Sequence, residues 1–225
     1  MVESMASSLL IKTLKVCPVK AFKRSQSTAV PSWLKAITGL KNYKVCQIGD
    51  PILRQKSKPV QFDYMLSQEF NQLVELMVKT MRDKKGVGIA APQVGASLRV
   101  IAVEFNGHHL KQNLKKFGAN GVQKMQMQLF PLKVVVNPEV KIIDPTTVAF
   151  KEGCLSMEGY SAIVPRVKEV QISGQSTTGE KLKFNIAGWM ARVFQHEMDH
   201  LDGHLFVDSM QYKTLIFEKW KDFAS

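Results

Sequence analysis

The sequence predicts an α+β fold in which mixed, mainly antiparallel strands pack around one central helix. Three observations carry this expectation. Strand-like segments come in runs and do not alternate with helices, which argues against a parallel βαβ sheet. The one strongly apolar helical segment, Gly188–Leu201, follows those runs. A chain of 225 residues with 45% hydrophobic and 22% charged residues can bury one sizeable core.

Residues 1–30 are rich in Ser and Lys, nearly free of acid and weakly amphipathic, with no long apolar stretch of the secretory kind. Those are the features of a transit peptide, so we expect a mitochondrial address, in the matrix, with processing near Arg24 and Ser25-Gln26-Ser27. Residues 1–42 supply half of the net charge of +12, with seven basic residues against Glu3. The remainder, 31–225, reads as one domain. The basic charge suits a ribosome surface, but no nucleic-acid-binding module is recognisable, and nucleic acid is not an expected partner. No apolar run approaches the ~20 residues of a membrane-spanning helix. Cys17, Cys46 and Cys154 form neither a CxxC pair nor an even-numbered framework, which fits a reduced compartment.

Along the domain, Phe70, Leu73, Leu76, Met77, Val78 and Met81 recur at helical spacing and predict an amphipathic helix over 66–84. A Gly-rich turn at 86–95 leads into a strand at 98–105. Residues 106–131 mix Gly, Asn, Gln and Lys with scattered apolar residues and read as a long surface insertion. Strands are predicted at 133–136, 140–143, 147–150, 168–173 and 181–186, the last two joined by a turn at Thr178-Gly179. After the helix at Gly188–Leu201, a last helix is predicted over 212–223.

The sharpest chemical signal is Gln195-His196-Glu197-Met198-Asp199-His200-Leu201, an HExxH motif on a helix whose apolar positions include Trp189, Met190, Val193, Phe194 and Met198. Residues four apart share a helix face, so His196 and His200 can present two imidazoles to one ion, while Glu197, one step round, can act as base toward a water. A chance His-Glu-His on an ordinary helix is the bland alternative, but buried groups of this kind need a reason. A catalytic site of this type has three protein ligands. A metzincin-like third ligand needs a His at position 206, which is Phe206, although Gly203 fits that pattern. Glu218 downstream and Cys154 in Glu152-Gly153-Cys154-Leu155-Ser156 are the other candidates. Glu152 and Arg166 are expected to pair and hold the cysteine loop. His108, His109, His204 and Cys46 are read as ordinary polar or packing residues.

Three segments, GVGIAAPQ (86–93), EGCLS (152–156) and QHEMDHL (195–201), together resemble the three signature motifs of the peptide deformylases, in the family's order. The resemblance runs from about Val45 to the C-terminus and takes in Asp50-Pro51-Ile52-Leu53-Arg54. Met198 resembles the animal mitochondrial branch. Leu155 departs from the acidic residue that some members of that branch carry. The resemblance implies a deformylase fold for 31–225, and Cys154, His196 and His200 as the ligands of one divalent ion. Fe2+ is the family's usual ion, with Zn2+, Co2+ or Ni2+ able to replace it. It also implies hydrolysis of the formyl group from N-formylmethionyl nascent peptides. Glu197 would be the base, and the Leu155 N–H and the Gln93 side-chain amide would donate to the oxyanion. Val87 and Gly88 would bind the peptide backbone, and Ile89 and Val193 would line the methionine pocket. A homodimer is compatible with the sequence. The competing readings are a metallopeptidase with a different third ligand, and a non-catalytic ribosome- or nucleic-acid-binding protein holding a structural metal.

Overall fold

The computed structural model describes residues 44–223, so the expected transit peptide and its processing region lie outside the described residues. Helix α1 (Gln68–Asp83) opens where the Ser67 hydroxyl accepts from the Phe70 N–H at 3.1 Å, and it buries Phe70, Leu73, Leu76, Met77, Thr80 and Met81. An N-cap of this kind satisfies one of the unpaired N–H groups of the first turn. Strands β1 (Gly88–Ala90) and β2 (Val100–Phe105) follow, antiparallel, with Gly88 opposite Val103. Helix α2 (Gly107–Lys124) occupies the expected surface insertion. The Asn106 side chain caps it, and Gly118, at φ 69° and ψ 174°, kinks it.

The three strands expected between 133 and 150 are one strand, β3 (Phe130–Cys154), which pairs with β4 (Met157–Gln175) as a long hairpin. Pro138 and Asp144-Pro145 interrupt the sequence pattern. The ladder absorbs them as register shifts between Val136 and Glu139 and on either side of Asp144. Asn137, at φ 49°, uses one such irregularity to pair its side-chain amide with both backbone groups of Val60, at 2.8 and 2.9 Å. Strand β5 (Lys181–Ala187) completes a sheet in the order β1-β2-β3-β4-β5, antiparallel throughout.

The period of two along β2 divides the core. Val100 and Ala102 face α1, packing with Ile89, Val136 and Phe70. Ile101, Val103 and Phe105 face helix α3 (Gly188–Leu201), packing with Met190, Phe194, Met198 and Leu201. α3 is buried on most of its circumference and bears the HExxH residues, as expected of a central helix. The helix expected at 212–223 is absent. That stretch makes short 3-10 turns around strand β6 (Ile216–Phe217), which pairs with β4 opposite Ser161 and Tyr160. Its apolar residues have no deep core to enter: Tyr212, Trp220 and Phe223 are exposed, and Phe217 rests on the Tyr160 ring at 5.0 Å. No helix among the described residues is long and apolar enough to cross a membrane.

Candidate active site

Four local structures bring the site together. α3 supplies His196, Glu197 and His200. The tip of the β3–β4 hairpin supplies Cys154, which pairs with Met157 across Leu155-Ser156. A 3-10 turn, Ala91–Val94, supplies Gln93, and β1 supplies Gly88. Residues 46–48 lash two of these together. The Cys46 N–H donates to the Gln93 carbonyl at 2.9 Å, the Ile48 N–H to the Ser156 carbonyl at 2.8 Å, and Gln47 Nε2 to the Leu155 carbonyl at 3.0 Å.

Cys154, His196 and His200 each offer one ligand atom, all within 4.8 Å of one another. Cys154 Sγ lies 3.2 Å from His200 Nε2. A tetrahedral ion with one thiolate and two imidazoles sets its ligand atoms roughly 3.3–3.6 Å apart, so the donors fit a bound divalent ion. A donor set of two imidazole nitrogens and one thiolate sulfur also suits a borderline transition metal. Glu218 is not part of this cluster. It is paired with Lys151 at 2.6 Å and accepts from the Ser161 hydroxyl. Phe206, where a metzincin would carry its third histidine, is a buried ring stacked on His196 at 6.4 Å.

The expected pair of Glu152 and Arg166 is present and belongs to a larger network. Arg166 Nε and Nη2 donate to the two Glu152 oxygens at 3.1 and 3.0 Å, and Arg166 Nη1 reaches Asp199 at 2.5 Å. Arg192 Nη1 donates to Glu152 Oε1 at 2.6 Å, and His196 Nδ1 meets Glu152 Oε2 at 3.0 Å. That last contact turns His196 Nε2 toward the ligand cluster, the usual way an outer carboxylate orients a metal-binding imidazole. Burial alone would raise the Glu152 carboxyl, but hydrogen bonds from His196 and Arg166 outweigh it and hold it at about 2. Burial tends to lower the His196 pKa. Contacts with Cys154 and Glu152 outweigh that and raise it, whereas burial and the neighbouring His196 charge lower that of His200.

Glu197 is 3% exposed, and burial raises its carboxyl to about 7. Its Oε2 has no hydrogen-bond partner, nor has the buried His200 Nδ1. Gly88 makes room for it, because a Cβ there would stand 2.3 Å from Glu197 Oε1. Gln93 is held by the Ala90 N–H donating to its Oε1 at 2.8 Å, and its Nε2 donates to Ser156 Oγ at 3.1 Å, lying 3.6 Å from Cys154 Sγ.

Cys154, His196, Glu197, Gln93 and Gly88 line a cleft of about 630 Å³ that also includes Val87, Leu155, Trp189 and Val193. Ile89 does not face it. The expectation that Ile89 lines a methionine pocket is corrected, since alternation along β1 sends Ile89 into the core beneath α1. The sequence assigns no role to Arg192 or Ser156, and Phe206 enters only as the residue that breaks the metzincin pattern. Arg192 carried a signal, for it stands four residues before His196 and eight before His200, a cation in line with the imidazoles on a buried helix.

The polypeptide deformylase family profile matches residues 42–215. The chain is 40% identical over 176 residues to the mitochondrial peptide deformylase of Homo sapiens, covering 78% of this chain and 71% of that protein. It is 36% identical over 185 residues to the peptide deformylase of Thermotoga maritima, covering 81% and 96%. The crystal structure of that bacterial protein superposes with a TM-score of 0.61 at 34% identity, covering 75% of this chain and 97% of that one. A Met-Ala-Ser-bound peptide deformylase from Acinetobacter baumannii gives 0.64 at 33%, covering 74% and 96%.

Proposed function

The chain belongs to the peptide deformylase family, and from that premise we propose how its own residues remove the formyl group from the N-terminal methionine of newly made peptides, the metal-dependent reaction of that family. The observation that carries the assignment is the cluster of Cys154, His196 and His200 beside a buried, unpartnered Glu197. Those three residues are the ligands. The bound ion supplies Lewis acidity to the attacking water and the formyl carbonyl. Fe2+ is the native ion in this reading, and Zn2+, Co2+ or Ni2+ suits the same donors.

Glu197 takes a proton from the attacking water, whose oxygen joins the formyl carbon. A carboxyl near 7 is suited to accept that proton and to return one to the leaving nitrogen. The carbon–nitrogen bond then breaks, and formate and a free methionyl amine leave. The carbonyl oxygen gains negative charge on the way, and the Leu155 N–H and Gln93 Nε2 donate to it. Gln93 needs little reorganisation, because its Oε1 is already fixed by Ala90. The peptide lies extended against Val87 and Gly88 as an added strand at the free edge of β1, and Val193 contributes to the apolar wall around the methionine side chain.

Replacing Glu197 with Ala should leave metal content near one ion per chain and lower formate release by about 10²–10⁴-fold. Formyl-Met-Ala-Ser, protein purified without oxygen, and metal analysis by mass spectrometry make that measurement. A metal-loaded, active variant rejects the base assignment. The human relative and the composition of residues 1–30 support a mitochondrial matrix address, which a reporter fused to that segment tests. The basic charge supports work at the mitochondrial ribosome surface, and sedimentation distinguishes a monomer from a homodimer.

A further inference from the structure

The cleft is larger than the hydrolysis of one formyl group requires. At about 630 Å³ it lies among the pockets that enclose whole small molecules, roughly 300–1,000 Å³. Its outer rim is built by two elements outside the three signature motifs. The end of α1 brings Lys84 and Lys85, and α2 brings Lys116 and Phe117. Neither Lys84, Lys85 nor Lys116 is ion-paired among the described residues, whereas Lys151, which also lines the cleft, is paired with Glu218. Lys116 also lies close enough to Glu218 to help lower its carboxyl, so that one carboxylate serves two lysines. Glu158 is the other acid at the rim, and Glu152 and Arg192 answer each other within the buried network. The charge left over is positive.

Two features indicate that this rim is built for contact. Lys85 has φ 56°, the left-handed conformation at which a helix end ordinarily places glycine. The Gly86 N–H closes α1 on the Met81 carbonyl at 2.8 Å, so the geometry is that of a helix stop with a lysine in the costly position. Backbone departures of this kind cluster at active sites and ligand clamps. α2, in turn, buries only His109 and Val122, and near its middle the Lys116 ammonium stands 5.2 Å over the Phe117 ring. Little of this helix serves the core, yet it presents a ring and a cation to the cleft.

We propose that the rim formed by Lys85, Lys116 and Phe117 is a specificity subsite that favours nascent peptides carrying an acidic residue within the first few positions after formyl-methionine. The proposal rests on the deformylase reading above. An extended peptide advances about 3.3 Å per residue, so a carboxylate two to four residues beyond the methionine lies roughly 7–13 Å further out. Lys84 adds to the field without a required contact.

The test separates binding from turnover. C-terminally labelled Met-Ala-Glu-Glu, Met-Ala-Ser-Ser and Met-Ala-Lys-Lys are titrated against the metal-loaded protein by fluorescence anisotropy, and kcat/KM is measured for their formylated forms. The acidic peptide should bind and turn over about three- to tenfold better than the basic one at 50 mM salt, and the ratio should shrink at 0.5 M as screening shortens. Both K85E and K116E should abolish or invert the ratio. K141E makes the same charge change on β3 away from the cleft and should preserve it. Equal binding of the three peptides overturns the proposal, as does a ratio that K141E lowers as much as K116E, which would mark a field of the whole protein. An RNA oligonucleotide whose binding K116E weakens while the peptide ratio stands still overturns it too. Absence of formate from every peptide together with an intact binding ratio rejects the deformylase reading and supports the subsite.

Discussion

Glu152 ties three side chains together: two arginines and the imidazole of His196 meet one buried carboxylate. Removing it leaves Arg166 and Arg192 as buried cations without that partner, a change that costs about 3–5 kcal/mol in comparable buried pairs. It also frees His196 to turn, and loss of such an outer contact weakens metal binding by roughly 10–100-fold. Glu152→Ala should therefore melt early and lose its metal to a competing chelator. Wild-type melting and metal retention would show the network to be dispensable. At this scale much of the site was legible in the sequence. His196 and His200 follow from helical spacing, and Cys154 from the resemblance carried by the neighbouring motifs. Ser156 was hidden because its partner Gln93 lies 63 residues away, and Arg192 showed its place on the histidine face but not its partner Glu152, 40 residues away. Cys46 keeps a packing role: burial first, then Asp50, pushes its thiol up to about 11, far from the thiolate a ligand needs.

Among the elements, α1 and α3 were readable because each turns an apolar stripe or an apolar circumference toward the core, and both observed helices match the expected spans closely. α2 was missed as a helix because it buries so little and carries Gly107, Gly118 and Gly121, leaving no apolar period to read. The predicted helix at 212–223 failed for the opposite reason, since apolar residues at helical spacing cannot form a stripe where no core faces them. Lys85→Gly relieves a left-handed lysine at the end of α1 and should raise stability by about 0.5–1 kcal/mol, read as a higher midpoint in urea. Arg82, near the same end, donates twice to Glu104 at 2.8 Å and so joins α1 to β2. The hydrogen bond from Arg82, more than any other cause, holds Glu104 below its ordinary 4.5. Its contribution is therefore full above that value and disappears as pH falls through the lowered one. Because Arg82 is half exposed, the pair is worth under about 1 kcal/mol. The stability gap between the protein and Glu104→Gln should be constant above pH ~5 and close in stronger acid. A gap that widens in acid would contradict the sign.

For the whole molecule, the proposed metal ligands join the far end of the long hairpin to the central helix, so binding an ion should tie together parts that are distant in the chain. Stripping it should lower the melting temperature, with recovery on adding metal that grows with concentration as RT ln(1 + [metal]/Kd) requires. An unchanged melting curve would place the ion outside these ligands. The α+β class and the antiparallel sheet were legible from runs of strands, but β3 was read in three pieces, because Pro138 and Pro145 mark breaks in a pattern without saying whether the ladder resumes. At the opposite extreme of length stands β1. It has three residues and lies at the end of the sheet, so it offers a visiting chain only about 10 Å of backbone to grip. In the proposed binding mode, an enzyme that holds its substrate by so short a handle is indifferent to the bulk of the client beyond its first few residues. What limits it is time: a client must be met while its first few residues still dangle free, before its own folding tucks them away.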